Sequence, residues 1–179
     1  MNPYLFIRIP RTASTSICEA LELENWHETA LERKEKLGSE FDSKFKFTIV
    51  RHPFERFLSG FYFLSIFGTQ EYLGEPRDPN KFLQETYLAE FTKNDFNNFI
   101  MKPQTDYILD ELGNSIVDFI GRYENLEKDW ATICEALGVP TIPLPIRAKS
   151  TEQKATLNQS SQDILREFYK KDFDFLNYN

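Results

Sequence analysis

A chain of 179 residues, 41% hydrophobic and 27% charged, is long enough for one domain with its own core, too short for two of ordinary size, and carries no composition of extended disorder. Its formal net charge of −7 argues against a general nucleic-acid binder, because counterion release needs a dense field of Lys and Arg, so any anion site must be local. The two cysteines, Cys18 and Cys134, fit neither a zinc-ligand spacing nor a disulfide framework and read as buried thiols; no other group of side chains forms a metal cluster. The N-terminal segment lacks a basic flank followed by a long apolar run, so neither a signal peptide nor a membrane anchor is expected, and the default location is cytoplasmic.

Tyr4 to Ile9 is a short apolar run ended by Pro10, the pattern of a buried strand feeding a loop. Ser14, Thr15 or Ser16 then caps a helix whose apolar face, Ile17, Cys18, Ala20, Leu21 and Leu23, runs to about Glu24. Ala30 to Gly38 reads as an exposed helix of mixed charge, and Phe45 to Val50 as a second strand, rich in aromatic and β-branched residues, with Arg51 at its carboxyl end. Pro53 opens a helix in which Phe54, Phe57, Leu58, Phe61 and Tyr62 recur at helical spacing. Gly68 to Asn80 is a loop long enough to face a substrate. Helices are expected around Asn80 to Glu90 and Phe96 to Met101, a third strand at Ser115 to Ile120, and a helix from Leu126 to Leu137 stopped by Gly138 and Pro140. A proline-punctuated loop from Pro140 to Thr151 precedes a last helix at Ser161 to Lys171. Strands alternating with helices predict a single α/β domain, residues 1–179, with a mostly parallel sheet flanked by helices. Ligands of such sheets bind at the carboxyl ends of strands, where Arg11 and Arg51 both fall, so the two basic loops should converge.

Two segments carry chemistry. Pro10-Arg11-Thr12-Ala13-Ser14-Thr15-Ser16 offers a cation, several hydroxyls and backbone N–H groups between strand and helix, the makings of an anion cradle. It lacks the glycines and the Gly-Lys-Ser/Thr ending of a Walker loop, and its plainer reading is a Ser/Thr-rich helix cap beside a surface Arg. Arg51-His52-Pro53-Phe54-Glu55-Arg56-Phe57-Leu58-Ser59 places Arg56 and Ser59 on one helical face near Arg51, a clamp for a phosphate, unless either Arg simply pairs with a carboxylate.

Together these segments resemble the family of sulfotransferases that use 3′-phosphoadenosine 5′-phosphosulfate (PAPS), in particular its carbohydrate O-sulfotransferase branch. There the first loop reads close to Pro-Lys-Thr-Ala-Gly/Ser-Thr-Ser and the second Arg-x-Pro-x-x-Arg-x-x-Ser. Gln104-Thr105-Asp106-Tyr107, Ile120-Gly121-Arg122-Tyr123-Glu124-Asn125-Leu126 and the closing Tyr169-x-x-Asp172-Phe173 are similar to later family segments in the same order. The resemblance implies a three-layer P-loop-like fold with a central, mostly parallel sheet, PAPS as donor and a hydroxyl acceptor, favouring a carbohydrate. It implies that Arg11, Thr12, Ala13, Ser14, Thr15 and Ser16 hold the 5′ end of the donor and that Arg51 and Ser59, helped by Arg56, hold its 3′-phosphate. Tyr123 would lie where the chain approaches the nucleotide, and Lys149 and Ser150 in a late loop closing over it. Arg11 departs from the usual Lys: a guanidinium keeps its proton, so it stabilises the departing phosphate oxygen electrostatically and does not act as a general acid.

Sulfuryl transfer of this kind is in-line with a loose transition state, which needs positioning and charge stabilisation and no metal. The acceptor hydroxyl needs a base. His27 stands where related carbohydrate sulfotransferases carry a histidine that looks like the base; Glu28 and other carboxylates are the alternatives, and His52, between Arg51 and Pro53, is expected to shape its turn. The clustered aromatics Phe61, Tyr62, Phe63 and Phe67 read as core. Two rival functions stand beside this one: a non-catalytic PAPS-binding module, and a small nucleotide-dependent phosphotransferase, which would need Mg²⁺ and a Walker-type Lys-Ser/Thr pair. A Tyr side chain or a small alcohol as acceptor would leave the same donor motifs, and the oligomeric state is open.

Overall fold

Three of the apolar segments become parallel strands in a computed structural model that describes residues 2–24, 26–67, 78–85, 88–93, 95–145 and 155–179. In chain order the elements are β1 (Tyr4–Phe6), α1 (Ser14–Ala20), α2 (Ala30–Leu37), α3 (Ser39–Asp42), β2 (Phe45–Val50), α4 (Pro53–Phe67), α5 (Pro79–Glu85), α6 (Leu88–Phe91), α7 (Asp95–Met101), α8 (Thr105–Ile108), β3 (Phe119–Arg122), a 3₁₀ turn (Tyr123–Asn125), α9 (Leu126–Leu137), α10 (Gln159–Phe168) and α11 (Lys170–Leu176). They fall into two compact units. The first comprises Met1–Arg51 and Gln104–Arg147, the second His52–Pro103 and Ala148–Asn179.

The first unit holds the sheet, in the order β1-β2-β3, with Phe6 opposite Phe47 and Val50 opposite Arg122. Alternation along β2 decides what each face buries. Phe47 and Ile49 pack against Ile17 of α1 and Trp130, Ile133 and Cys134 of α9, and each such fully buried side chain contributes about 1.5–3 kcal/mol. On the other face Thr48 donates its hydroxyl to the Ile7 carbonyl at 2.7 Å, and the Lys46 ammonium lies 5.3 Å over the ring of buried Phe41 in α3. The result is the expected mixed α/β fold, a parallel sheet flanked by helices.

Several boundaries differ from the sequence pattern, each for a local reason. The strand expected over Ser115 to Ile120 is β3 at Phe119–Arg122, because the chain reverses at Asp110 to Asn114 and Ile116 donates to Ile108 at 3.0 Å while Ser115 bridges Leu109. β1 ends at Phe6, although Ile7 still donates to the Phe47 carbonyl at 2.8 Å. α1 stops at Ala20, short of Glu24, where Glu22 turns left-handed (φ 51°) and Leu23 N–H returns to the Cys18 carbonyl. α2 starts on a capping box between Thr29 and Glu32 and α9 ends on left-handed Gly138, both as the residue types dictate.

The second unit is helical. Phe57, Leu58, Phe61 and Leu64 of α4 form its core with Phe82 and Leu83 of α5, Ile100 and Met101 of α7, and Leu165, Tyr169 and Phe173 of the C-terminal helices. Gly60 permits the close approach of α4 and α7: a Cβ there would stand 3.0 Å from Ile100 Cγ2. The expected last helix divides at Tyr169, which is fully buried and donates its hydroxyl to the Met101 carbonyl at 2.7 Å. α10 begins instead at Gln159, capped by the Asn158 side chain, which accepts from Ser161 N–H at 2.9 Å.

Candidate active site

The loop from β1 to α1 is shaped by two residues in the left-handed region, Arg11 (φ 68°) and Ala13 (φ 64°), neither of them glycine. Such a conformation costs an L-residue about 1–2 kcal/mol, so surrounding contacts must hold it. Thr12 supplies one: fully buried, it donates its hydroxyl to the Ile9 carbonyl at 2.9 Å and closes the turn.

None of Ser14, Thr15 and Ser16 caps α1, contrary to the sequence expectation; Ala13 occupies the N-cap, without a side-chain hydrogen bond. The hydroxyls answer to a buried cation instead. Arg8 donates from Nε to Ser14 Oγ at 3.3 Å and from Nη2 to Thr15 Oγ1 at 3.0 Å. A hydroxyl whose lone pair is taken by a guanidinium has its own proton left to donate, so Arg8 turns these two groups into oriented donors.

At the carboxyl end of β2 the Arg51 backbone is fixed on both sides by one amide side chain: its N–H donates to Gln104 Oε1 and its carbonyl accepts from Gln104 Nε2, each at 2.8 Å, with Gln104 fully buried. The Arg51 guanidinium then reaches the Arg11 carbonyl with Nη1 at 3.4 Å and lies 4.2 Å over the Tyr123 ring. The two basic loops therefore converge, with Arg11, Arg51 and Tyr123 in one place. Burial, then the neighbouring Arg51 charge, lower the pKa of Arg11, against the opposing influence of Tyr123. An anion placed at this cluster relieves both effects.

His27 is half-buried, its Nδ1 3.4 Å from the Arg8 carbonyl oxygen. A carbonyl only accepts, so in this contact Nδ1 is the donor, which makes Nε2 the basic nitrogen of the ring. Burial, then the Arg8 charge, push its pKa down to about 4, against the pull of the carbonyl hydrogen bond, so the ring is neutral near pH 7. Glu28 beside it is tied to Lys36 and to Arg33 (3.0 Å), which hold its carboxyl below the usual range. Of the two neighbours, His27 is the one whose neutral form persists near pH 7.

Arg56 and Ser59 stand three apart on α4 in the second unit; Arg56 is buried there and donates from Nη2 to the carbonyls of Ile100 and Lys102, both at 3.0 Å, a clasp on the end of α7. His52 accepts from Phe54 N–H at Nδ1 (3.3 Å) and sits 3.1 Å through Nε2 from the Asn179 carbonyl, so it shapes its turn. Lys149 and Ser150 lie outside the described residues. Cys18 and Cys134 are buried free thiols. Two contributors had no role assigned from sequence. Arg8, a cation inside the apolar run Ile7-Arg8-Ile9, stands out from the sequence with Arg11, Arg51 and Arg56 as a basic residue of interest but with no partner assigned, whereas nothing in the sequence marks Gln104 as the clasp on Arg51.

A parallel α/β unit that gathers arginines at the carboxyl ends of two neighbouring strands is a protein built to hold an anionic ligand there. A family model described as the sulfotransferase family matches residues 2–179, and the chain belongs to that family: it is a sulfotransferase. No curated protein and no solved structure matches the chain. Among the described residues no helix is long and apolar enough to cross a membrane, and no group of three or more His, Cys, Asp or Glu side chains could hold a metal ion.

Proposed function

We propose that the chain transfers the sulfuryl group of PAPS to a hydroxyl of a carbohydrate. The observation that carries this reading is the convergence of Arg11, Arg51 and Tyr123 at adjacent strand ends, two cations held together beside an aromatic face that is 38% exposed. Arg51 takes the 3′-phosphate of the nucleotide, and Arg11 with the Thr12 to Ser16 loop takes the 5′-phosphosulfate, toward which the Ser14 and Thr15 hydroxyls donate.

The acceptor oxygen attacks sulfur in line as His27 Nε2 removes its proton; the bond from sulfur to the bridging oxygen breaks, and adenosine 3′,5′-bisphosphate leaves. Arg11 stabilises charge developing on the departing phosphate oxygen and keeps its own proton. The sulfotransferase family and the His27 ring held at the Arg8 carbonyl support a hydroxyl acceptor.

Thermal unfolding with adenosine 3′,5′-bisphosphate, beside ATP with Mg²⁺, tests the donor. At ~100 times its dissociation constant the bisphosphate adds about 2.7 kcal/mol. The expected result is a shift with the bisphosphate that is lost in Arg51→Ala; preference for ATP with Mg²⁺ overturns the donor assignment in favour of a phosphotransferase. Sulfate transfer that disappears in Arg11→Ala excludes a module that only binds.

A further inference from the structure

Beside β1 the first unit contains a cavity of about 360 Å³, within the ~300–1,000 Å³ range of small-molecule sites. It is lined by charged groups, by aliphatic residues and by three aromatics, Tyr4, Phe6 and Trp26, of which Trp26 is 57% exposed while its Nε1 donates to Glu24 Oε2 at 2.5 Å. That bond ties the indole to a second lining residue. Arg8 lines the same cavity: only 6% exposed, it carries a buried Nη1 with no hydrogen-bond partner. A buried guanidinium N–H left unmatched makes Arg8 the cation of this lining with a donor to spare.

The charges lining the cavity say what kind of ligand. Three cations face four glutamates, and two of the cations are already spent, Arg33 on Glu28 at 3.0 Å and Lys44 on Glu40 at 2.9 Å. Glu22 and Glu24 remain to repel an incoming anion, whereas carboxylates and Arg8 can accept from and donate to uncharged hydroxyls. An exposed indole beside two further aromatics, carboxylate acceptors and an arginine donor match one chemistry: a sugar ring, apolar on its C–H face and hydroxylated at its rim. The position fits an acceptor as well, since Arg8 touches the Ser14 and Thr15 hydroxyls with its side chain and His27 with its carbonyl.

We infer that this cavity is a binding site for a neutral carbohydrate acceptor, one without uronate or sulfate groups. The inference rests on the carbohydrate-acceptor reading above and narrows it. It is tested by binding of the full chain to a glycan array carrying neutral oligosaccharides, uronate-containing and sulfated oligosaccharides, and sugar-free alcohol linkers. The array is run in parallel with the bisphosphate thermal shift, for the parent protein and for Trp26→Ala, an exposed position whose truncation leaves the core intact. The expected result is retention on neutral glycans at least about tenfold above acidic ones, lost about tenfold in Trp26→Ala while the bisphosphate shift is unchanged. Preference for acidic glycans, binding indifferent to Trp26→Ala, or no glycan binding by a protein that still shifts with the bisphosphate overturns the inference and leaves the donor standing. Neutral-glycan binding that depends on Trp26, in a protein that ignores the bisphosphate, sustains the cavity and sinks the donor.

Discussion

Replacing His27 by Gln should change how stability responds to acid, with a sign and size set by the pocket around the ring. An imidazole titrates near 6.5 in the unfolded chain and at about 4 in the folded one, because burial and the Arg8 charge disfavour the cation. Above pH 6.5 both states are neutral and the group contributes nothing. Between 6.5 and 4 the unfolded chain binds the proton and the folded chain does not, so stability falls as pH falls; below 4 both are protonated and the loss is complete. Full conversion at ~1.36 kcal/mol per pKa unit gives about 3.4 kcal/mol. The ring is partly open to solvent, and screening reduces this to about 1.5 kcal/mol. Urea unfolding of both proteins at pH 7.5 and pH 4.5 isolates the effect, since the carboxylates that titrate in the same window cancel in the difference. The parent should lose about 1 kcal/mol more than His27→Gln on going to pH 4.5. An equal loss in both proteins would refute the buried, Arg8-facing imidazole and its lowered pKa.

Other substitutions test the remaining parts of the site. Arg11→Ala should lower the rate of sulfate transfer by at least ~10²-fold, with Arg11→Lys recovering most of it, because a charge at that point and not a proton donor is required; steady-state assays of the two variants decide this. Ala13→Gly should raise the stability measured by urea unfolding by about 1 kcal/mol, since glycine adopts φ 64° without the Cβ penalty. Gln104→Leu should cost about 2–3 kcal/mol in the same assay and weaken bisphosphate binding, because it leaves the Arg51 N–H and carbonyl buried without their shared partner.

The elements that sequence pattern predicted well are those whose signals are local. α9 begins and ends where Leu126 and Gly138 said it would, and β2 occupies the aromatic, β-branched run Phe45 to Val50. β3 slipped toward its carboxyl side because its start is set by a turn at Asp110 to Asn114 and by Asp118, which accepts from Lys46 N–H at 2.7 Å, contacts that join residues far apart in the chain. Within the site, Arg11 and Arg51 were legible because strand ends in a parallel sheet gather ligands, and the sheet alone dictates their convergence. The use of Ser14 and Thr15 was misread as capping, because their true partner, Arg8, lies six and seven residues upstream, where helical periodicity says nothing. The role of Gln104 was hidden for the same reason: it acts across 53 positions on the backbone of Arg51.

A glycine-free loop with arginine in place of lysine changes how such a site stores free energy. Arg11 and Ala13 are held in a disfavoured backbone region, and Arg11 is partly desolvated next to a second guanidinium, so the loop is strained both conformationally and electrostatically. The strain is sustained by what lies beneath: the Thr12 bond to Ile9, the Gln104 clasp on Arg51, and Arg8 under the two hydroxyls. These contacts are all made within the protein, so they hold the cations and the hydroxyls in position. An anion with several charges then removes the repulsion at no cost in reorganisation, which is the condition under which electrostatic stabilisation is strongest in a transition state. Loosening the support should therefore weaken catalysis more than truncating exposed residues around it, and Gln104, which touches no part of the reaction, is the position at which that difference is largest.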